Sequence, residues 1–254
     1  MNKLQIDINC DLGESYGRFK VGQDEQIMPL ITSCNIACGF HGGDPLTIQR
    51  TIELALKYKV QIGAHPSYPD LAGFGRRKMD LPLNELKSLM MYQVSALKGM
   101  LEGLGGSLKH VKPHGALYNV MAVDESVARC IMEAILKIDS KLILVGPAGQ
   151  DWYKVAQSMG CHAVQEVFSD RNYNEDLTLV SRTLQNAMIN TIEDRVSHVK
   201  RIVLEKKVKT LSNHIVPIAG NTICIHGDHE LAPTTAKQIR SSLESNGVII
   251  QSYA

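Results

Sequence analysis

Six apolar runs in this 254-residue chain end in side chains that can move protons, hold cations or bind anions. Asp11 and Glu14 follow the first run, His41 and Asp44 the second, His65 the third and His114 the fourth. Ser169, Asp170 and Arg171 follow a run near residue 165, and His226, Asp228 and His229 follow one near 224. Carboxylates and imidazoles at this density suit general acid–base chemistry, or a divalent ion held through oxygen and nitrogen. A lone histidine at a strand end is more often a structural hydrogen-bonding group. Four at matching positions form a pattern.

The stretch HVKPHGALYN, residues 110–119, sharpens it. Side chains alternate across a strand, so His110, Lys112 and His114 share one face. In LQIDINCDL, Asp7, Asn9 and Asp11 share one face, and Ile6, Ile8 and Cys10 the other. The apolar side must pack under helices, which turns the polar side inward and sets Lys112 against an acidic first strand. The structural alternative is a buried network in which Asp7 and Asn9 set register and Lys112 is only salt-bridged.

The elements that must position these residues alternate in type. Periodicity predicts strands over 4–10, 35–40, 60–64, 108–113, 141–145, 162–168, 222–226 and 247–253. It predicts helices over 23–33, 45–59, 82–103, 124–138, 150–159, 184–206 and 233–245, with Asp44 and Pro45 starting the second of these. Residues 208–219 read as an accessory hairpin or extended excursion. Strands alternating with helices imply βαβ units and parallel pairing. Seven or eight such units allow a closed barrel or an open doubly wound sheet. A barrel gathers every carboxyl-terminal strand end on one rim, whereas an open sheet gathers only those at its switch point. The barrel is therefore the expected fold, as one domain over 1–254, because no linker or low-complexity stretch divides the chain.

Composition narrows the classes. Apolar residues make up 44% and charged ones 21%, with net charge +1, which argues against nucleic acid or an anionic membrane as the main partner. The amino-terminal stretch lacks a signal-type apolar region, and no apolar run approaches the roughly 20 residues of a membrane span. A cytoplasmic location is expected. The six cysteines show no CxxC pairing and read as reduced, mostly buried thiols, Cys34 and Cys38 included. There is no GxxxxGK[ST], HExxH or GxSxG motif. The glycines at 42–43 and in GPAG at 146–149 read first as turns, and second as anion-binding backbone. The charge run at 200–209 reads as a solvated helix end.

IDINCDLGES, NIACGFHGGDP, GAHPSYPDLAGFGRR, HVKPHGALYN, EVFSDRNY and ICIHGD occur in the order seen in the LamB/YcsF family, that of bacterial 5-oxoprolinase A subunits, which the chain resembles over nearly its whole length. One departure is NEDLTLVSR at 174–182, where the family usually reads close to DGSLVPR. The resemblance implies a seven-stranded variant of the TIM-like (βα) barrel, related to polysaccharide-deacetylase-like barrels. It implies ATP-dependent opening of 5-oxoproline to glutamate, with Mg²⁺-ATP as co-substrate and two other subunits as partners. A lactam is a poor electrophile, so such a site needs a base, oxyanion donors and cationic groups for phosphate. On that reading Asp11, His65, Lys112, His114 and Asp170 are the catalytic candidates, with Asp11 or His114 as base and Asp170 orienting a histidine. Asn9, Glu14, His41, Asp44, Arg76, Arg77, Arg171, His226 and Asp228 are candidates for binding substrate or phosphate. Likeness to deacetylase barrels also allows a divalent metal on Asp11, His65 and His114. Two alternatives stay open: a metal-dependent amide or N-acetyl hydrolase acting without ATP, and a non-catalytic carboxylate-binding or regulatory subunit.

Overall fold

The computed structural model describes residues 4–253. The chain forms β1 (Gln5–Leu12), the single turn α1 (Asp24–Ile27), β2 (Ser33–Ala37), α2 (Pro45–Tyr58), β3 (Gln61–His65) and α3 (Leu83–Gly103). It continues through β4 (His110–Val111), α4 (Gly115–Val123), α5 (Glu125–Ile138), β5 (Ile143–Pro147), α6 (Trp152–Ser158), β6 (Ala163–Phe168) and α7 (Ile192–Glu205). An antiparallel hairpin of β7 (Lys207–Lys209) and β8 (Ile215–Pro217) precedes β9 (Thr222–His226), α8 (Ala232–Ser245) and β10 (Ile249–Ile250). Strands β1 to β6 and β9 pair in parallel, and β1 bonds both β2 and β9, which closes a barrel of seven strands. The expected barrel and strand number are thus observed. β10 adds alongside the start of β1. Among the described residues no helix is long and apolar enough to cross a membrane.

Local chemistry explains most boundaries. Asp44 accepts hydrogen bonds from the Leu46 and Thr47 N–H groups, and Pro45 occupies the first helical position of α2, as expected. Asp124 caps α5 in the same way. The expected helix over 23–33 is instead one turn of α1 and a 3₁₀ turn at Met28–Leu30. The chain then becomes strand β2, whose five residues are all buried. β4 is only two residues long, because Pro113 has no N–H to extend the ladder. The residues after it form helix α4, which the strand reading of this stretch did not anticipate. Of the expected helix 184–206, only α7 forms. The preceding arm, 169–190, is irregular and held by backbone bonds from Asn172 to Ala187, Val180 to Asn172 and Ile189 to Asp170.

The apolar core lies between strands and helices, as the parity of β1 predicts: Ile6, Ile8 and Cys10 are buried there. The lumen is polar. Lys112 Nζ sits 2.9 Å from Asp11 Oδ1 and 2.9 Å from Glu166 Oε1. Asn9 Nδ2 donates to Glu166 Oε1 at 2.8 Å and Thr222 Oγ1 at 2.7 Å, and Asn35 Nδ2 donates to Asn9 Oδ1 and Asp11 Oδ1, each at 2.8 Å. The Tyr118 hydroxyl donates to Glu166 Oε2 at 2.7 Å. Beneath this layer His110 Nε2 meets Asn35 Oδ1 at 2.7 Å. Its ring occupies the space that a Cβ at Gly63 would need, so glycine is required on the adjoining strand. Lower still, Asp7 accepts from Thr32, Ser33 and Thr222, and burial pushes its carboxyl up to about 6.

Lys112 therefore compensates two buried carboxylates. Lys112→Met should lower unfolding free energy in urea by roughly 3–5 kcal/mol, the cost of stranding a buried charge. Adding Glu166→Gln should recover part of that loss. A single variant as stable as the parent would show that the lumen tolerates the unpaired acids.

Candidate active site

A cavity of about 570 Å³ opens at the carboxyl ends of the barrel strands. Asp11, Glu14, His65, Lys112, His114 and His226 are among its lining residues. Asp11 is near the end of β1, and Glu14 lies just beyond it. His65 ends β3, His114 precedes the first residue of α4, and His226 ends β9. The barrel has gathered side chains more than 200 residues apart in sequence onto one rim.

The histidine geometry is specific about protons. His65 Nδ1 lies 2.6 Å from the Lys112 carbonyl oxygen, and His114 Nε2 lies 2.8 Å from the Phe74 carbonyl oxygen. A carbonyl only accepts, so each of those ring nitrogens carries the proton. The other two, His65 Nε2 and His114 Nδ1, face each other at 3.0 Å. In the neutral rings both are lone pairs. Asp11 Oδ2 is 3.3 Å from His65 Nε2, and Glu14 Oε1 is 3.5 Å from His114 Nδ1 and 3.0 Å from His41 Nε2. Acceptors thus converge on one point, which calls for a shared proton or a cation.

The electrostatics follow from burial. Burial, then the neighbouring His41 and His65, holds His114 well below the usual imidazole range. Burial and His65 do the same to His41. Burial, then the charge of Asp11, pushes Glu14 up to about 8. Burial also works against Asp11, but His65 and Lys112 outweigh it and hold that carboxyl well below the usual range. The His41 ring stacks on His114 with centroids 3.7 Å apart, and Phe74 meets both rings edge-on. At Gly75 a Cβ would press on the His114 ring and on the His41 Cβ, so this loop packs its bare backbone against both side chains.

These residues fit a divalent cation. Ligand atoms of Glu14, His41, His65 and His114 all lie within 4.8 Å of one another, and Asp11 adjoins them. Histidines that ligate metals characteristically donate their remote N–H to a carbonyl or carboxylate, as His65 and His114 do here. The expected set of Asp11, His65 and His114 is brought together, with Glu14 and His41 added by the fold.

A second group of charges lines the mouth. Arg76 Nη2 pairs with Asp228 Oδ2 at 2.7 Å. Asp170 accepts from His226 Nδ1 at 2.9 Å, so the histidine it orients is His226. The other ring nitrogen of His226 accepts from Arg182 at 3.0 Å. Arg171 is buried on the cavity wall, donating to the Val180 carbonyl.

Some expected residues stand elsewhere. Arg77 pairs with Asp70 outside the cavity lining, with its side chain 67% exposed. The Asp44 carboxylate is occupied by the N-terminus of α2 and by the Gly17 N–H at 2.9 Å. Asn9 lies below the cavity, in the lumen lattice. The structure thus places these three outside the cavity lining, each already satisfied: Arg77 by Asp70, Asp44 by backbone N–H groups, and Asn9 by Glu166 and Thr222 across the lumen. Three residues were not anticipated. Glu166 is a lone acid inside an apolar strand, a signal of inward pairing. Tyr118 sits on α4, a helix that the periodicity reading did not assign. Arg182 closes the segment that departs from the family pattern.

Comparison with known proteins agrees with this architecture. The LamB/YcsF family profile matches residues 6–254. A protein of Acinetobacter baylyi, named as the A subunit of 5-oxoprolinase, is 48% identical over 250 residues, 98% of each chain. The crystal structure of a lactam utilization protein from Thermus thermophilus superimposes with a TM-score of 0.92 at 40% identity, covering 98% of this chain and 100% of that one. A family 4 carbohydrate esterase from Streptomyces lividans shares the fold at a TM-score of 0.51 and 12% identity, over 99% of this chain and 93% of that one. By the extent of the profile match and the identity of these whole-length relatives, the chain belongs to the LamB/YcsF family.

Proposed function

We propose that this chain is the A component of a cytoplasmic, ATP-dependent 5-oxoprolinase that opens the lactam of 5-oxo-L-proline to L-glutamate together with two other subunits. The observation that carries the substrate is the 48% identity, over 98% of both chains, to a protein named as a 5-oxoprolinase component. The cavity is compatible with it: a chamber with ionised Asp11 and facing imidazoles on one wall and arginines at the mouth.

The chemistry balances as follows. The lactam oxygen attacks the terminal phosphorus of Mg²⁺-ATP and ADP leaves, which makes the ring carbon electrophilic. Water adds to that carbon, its proton passing to a base, and the ring C–N bond breaks as nitrogen takes a proton. A second water releases phosphate from the resulting acyl phosphate, leaving glutamate. Asp11, ionised and 3.3 Å from His65, and the free Nδ1 of His114 are the base candidates. Lys112 lies beside Asp11 and keeps it charged. Asp170 fixes the His226 ring. Where a divalent metal is bound instead, Asp11, Glu14, His41, His65 and His114 would hold it, His114 through the same Nδ1 that otherwise serves as base, and the metal would supply Lewis-acid polarisation at the reacting oxygen.

The facing lone pairs of His65 and His114 also favour a second reading, a metal-dependent amide hydrolase that needs no ATP.

The first two measurements below separate these readings, and the others test the residue roles. With Mg²⁺-ATP and its candidate partner subunits, the chain should form glutamate from 5-oxoproline, and none alone. Amide turnover by the isolated chain with a divalent ion and no nucleotide would favour the second reading. In the assembled complex, His114→Ala should lower kcat by about 10²–10⁴-fold, a typical general-base loss, while calorimetric binding of 5-oxoproline persists. Binding lost in step with activity would instead make His114 a binding residue. Elemental analysis of protein purified without chelator should find about one divalent ion per chain, with a chelator-sensitive melting temperature, and His65→Ala should lose both. Metal-free protein with unchanged melting behaviour would remove the ligand roles.

A further inference from the structure

The arm 169–190 carries two arginines with no acidic partner. Arg171 is 5% exposed, yet its only hydrogen bond is from Nη2 to the Val180 carbonyl, and its Nε is buried without any partner among the described residues. Arg182, exposed at the cavity mouth, bonds only His226 Nε2. Neither forms an ion pair among the described residues. Asp170 and Asp228 attract Arg182 without forming an ion pair with it, but Asp170 already accepts from His226 and Asp228 is paired with Arg76. The two guanidinium groups also repel each other and Arg76: burial, then Arg182, lowers Arg171 to about 10. A buried donor left unmatched and two cations without an ion pair of their own are costly unless something else satisfies them.

The surroundings indicate what would. Arg171, Arg182, Ser181 and Thr183 all line the cavity, and the Ser181 and Thr183 hydroxyls lie 2.8 Å apart on either side of Arg182. A monoanionic carboxylate is matched by one forked guanidinium. Two guanidiniums with two adjacent hydroxyls match the charge and oxygen count of a tetrahedral dianion. The position is also productive. Arg182 touches His226, and a ligand atom of His226 lies within 4.8 Å of the Asp11 carboxylate.

We infer that Arg171 and Arg182, with the hydroxyls of Ser181 and Thr183, form a phosphoryl-binding subsite beside the Asp11–His65–His114 cluster. It deepens the function proposed above, on which it rests for the source of the phosphoryl group. It assigns work to the segment 174–182, where the chain departs from its family's usual pattern. The conformation there is set by the Val180 carbonyl that anchors Arg171.

Calorimetric titration of the chain with inorganic phosphate tests this. Saturable binding is expected, tightening from about pH 6 to about pH 8 as phosphate becomes dianionic. Arg182→Gln should weaken it by about 10- to 100-fold, the loss of a charge-assisted hydrogen bond, and Arg182→Lys by less. Arg182 is exposed, so its variants should fold; Arg171→Gln is read only if its circular dichroism and melting match the parent. Acetate competing as well as phosphate, or no saturable phosphate binding by the folded parent, overturns the assignment. So does Arg182→Gln binding phosphate like the parent. The outcome is separable from the substrate reading: a complex that makes no glutamate, built on a chain that binds phosphate through Arg182, loses the substrate and keeps the subsite.

Discussion

Lys112 stands in the lumen between Asp11 and Glu166, 2.9 Å from each, and the arrangement of the site above depends on it. An ammonium and two carboxylates out of water are tolerable only if every remaining lone pair and proton finds a partner. Here they do, through Asn9, Asn35, Thr222 and Tyr118, which belong to four different parts of the barrel wall and its first layer of helices. Burial alone would strip Lys112 of its proton, but Asp11, Cys224 and Glu166 hold its pKa well above the usual value. The pair is also directional. Oδ1 of Asp11 is taken by the lysine, which leaves Oδ2 turned toward His65.

That orientation links stability to chemistry. With His65, the lysine keeps Asp11 ionised, and its backbone carbonyl accepts a hydrogen bond from the Nδ1–H of His65. One residue thus helps set the charge of the acid and fixes which nitrogen of the neighbouring imidazole carries the proton. His114 receives its tautomer from a different source, the carbonyl of Phe74 in the long loop after β3. In their neutral forms the two rings then present bare nitrogens to each other, because the remaining N–H of each donates to a carbonyl. A lattice of this kind is rigid, since moving any member exposes a buried charge or an unmatched donor.

The rim beyond it is built on different physics. Arg76 and Asp228 neutralise each other, Asp170 takes the His226 proton, and Arg171 and Arg182 are left in excess on an irregular arm. An irregular backbone has few repeating hydrogen bonds to constrain it, so the arm relies on particular ones, such as the Tyr173 hydroxyl accepting from the Phe168 N–H. The rigid lumen fixes the positions of Asp11 and the imidazoles, while the arm presents cations at the entrance. This division between a regular scaffold and irregular functional loops is general for barrels.

Much of this was legible in the order of residues. Parity in β1 assigns Asp7, Asn9 and Asp11 to the lumen, because a strand alternates faces whatever surrounds it. The repeated run of apolar strand, polar strand end and helix implies a parallel barrel with a polar rim, and Asp44–Pro45 marks a helix start by local capping. Other features were decided by contacts between distant parts of the chain. Arg77 and Asp44 carry the right charge for a site, but each finds a nearby partner that removes it from the cavity. Glu166 looks like one acid in an apolar strand until Lys112, 54 residues earlier in the sequence, arrives opposite it. The facing lone pairs of His65 and His114 depend on two carbonyl groups, Lys112 and Phe74, that no spacing rule connects to them. Sequence pattern reports the local preferences of the backbone and the face a side chain takes. Which proton sits on which nitrogen, and which charge is left unpaired, is settled only when the barrel closes and long-range partners compete for each group.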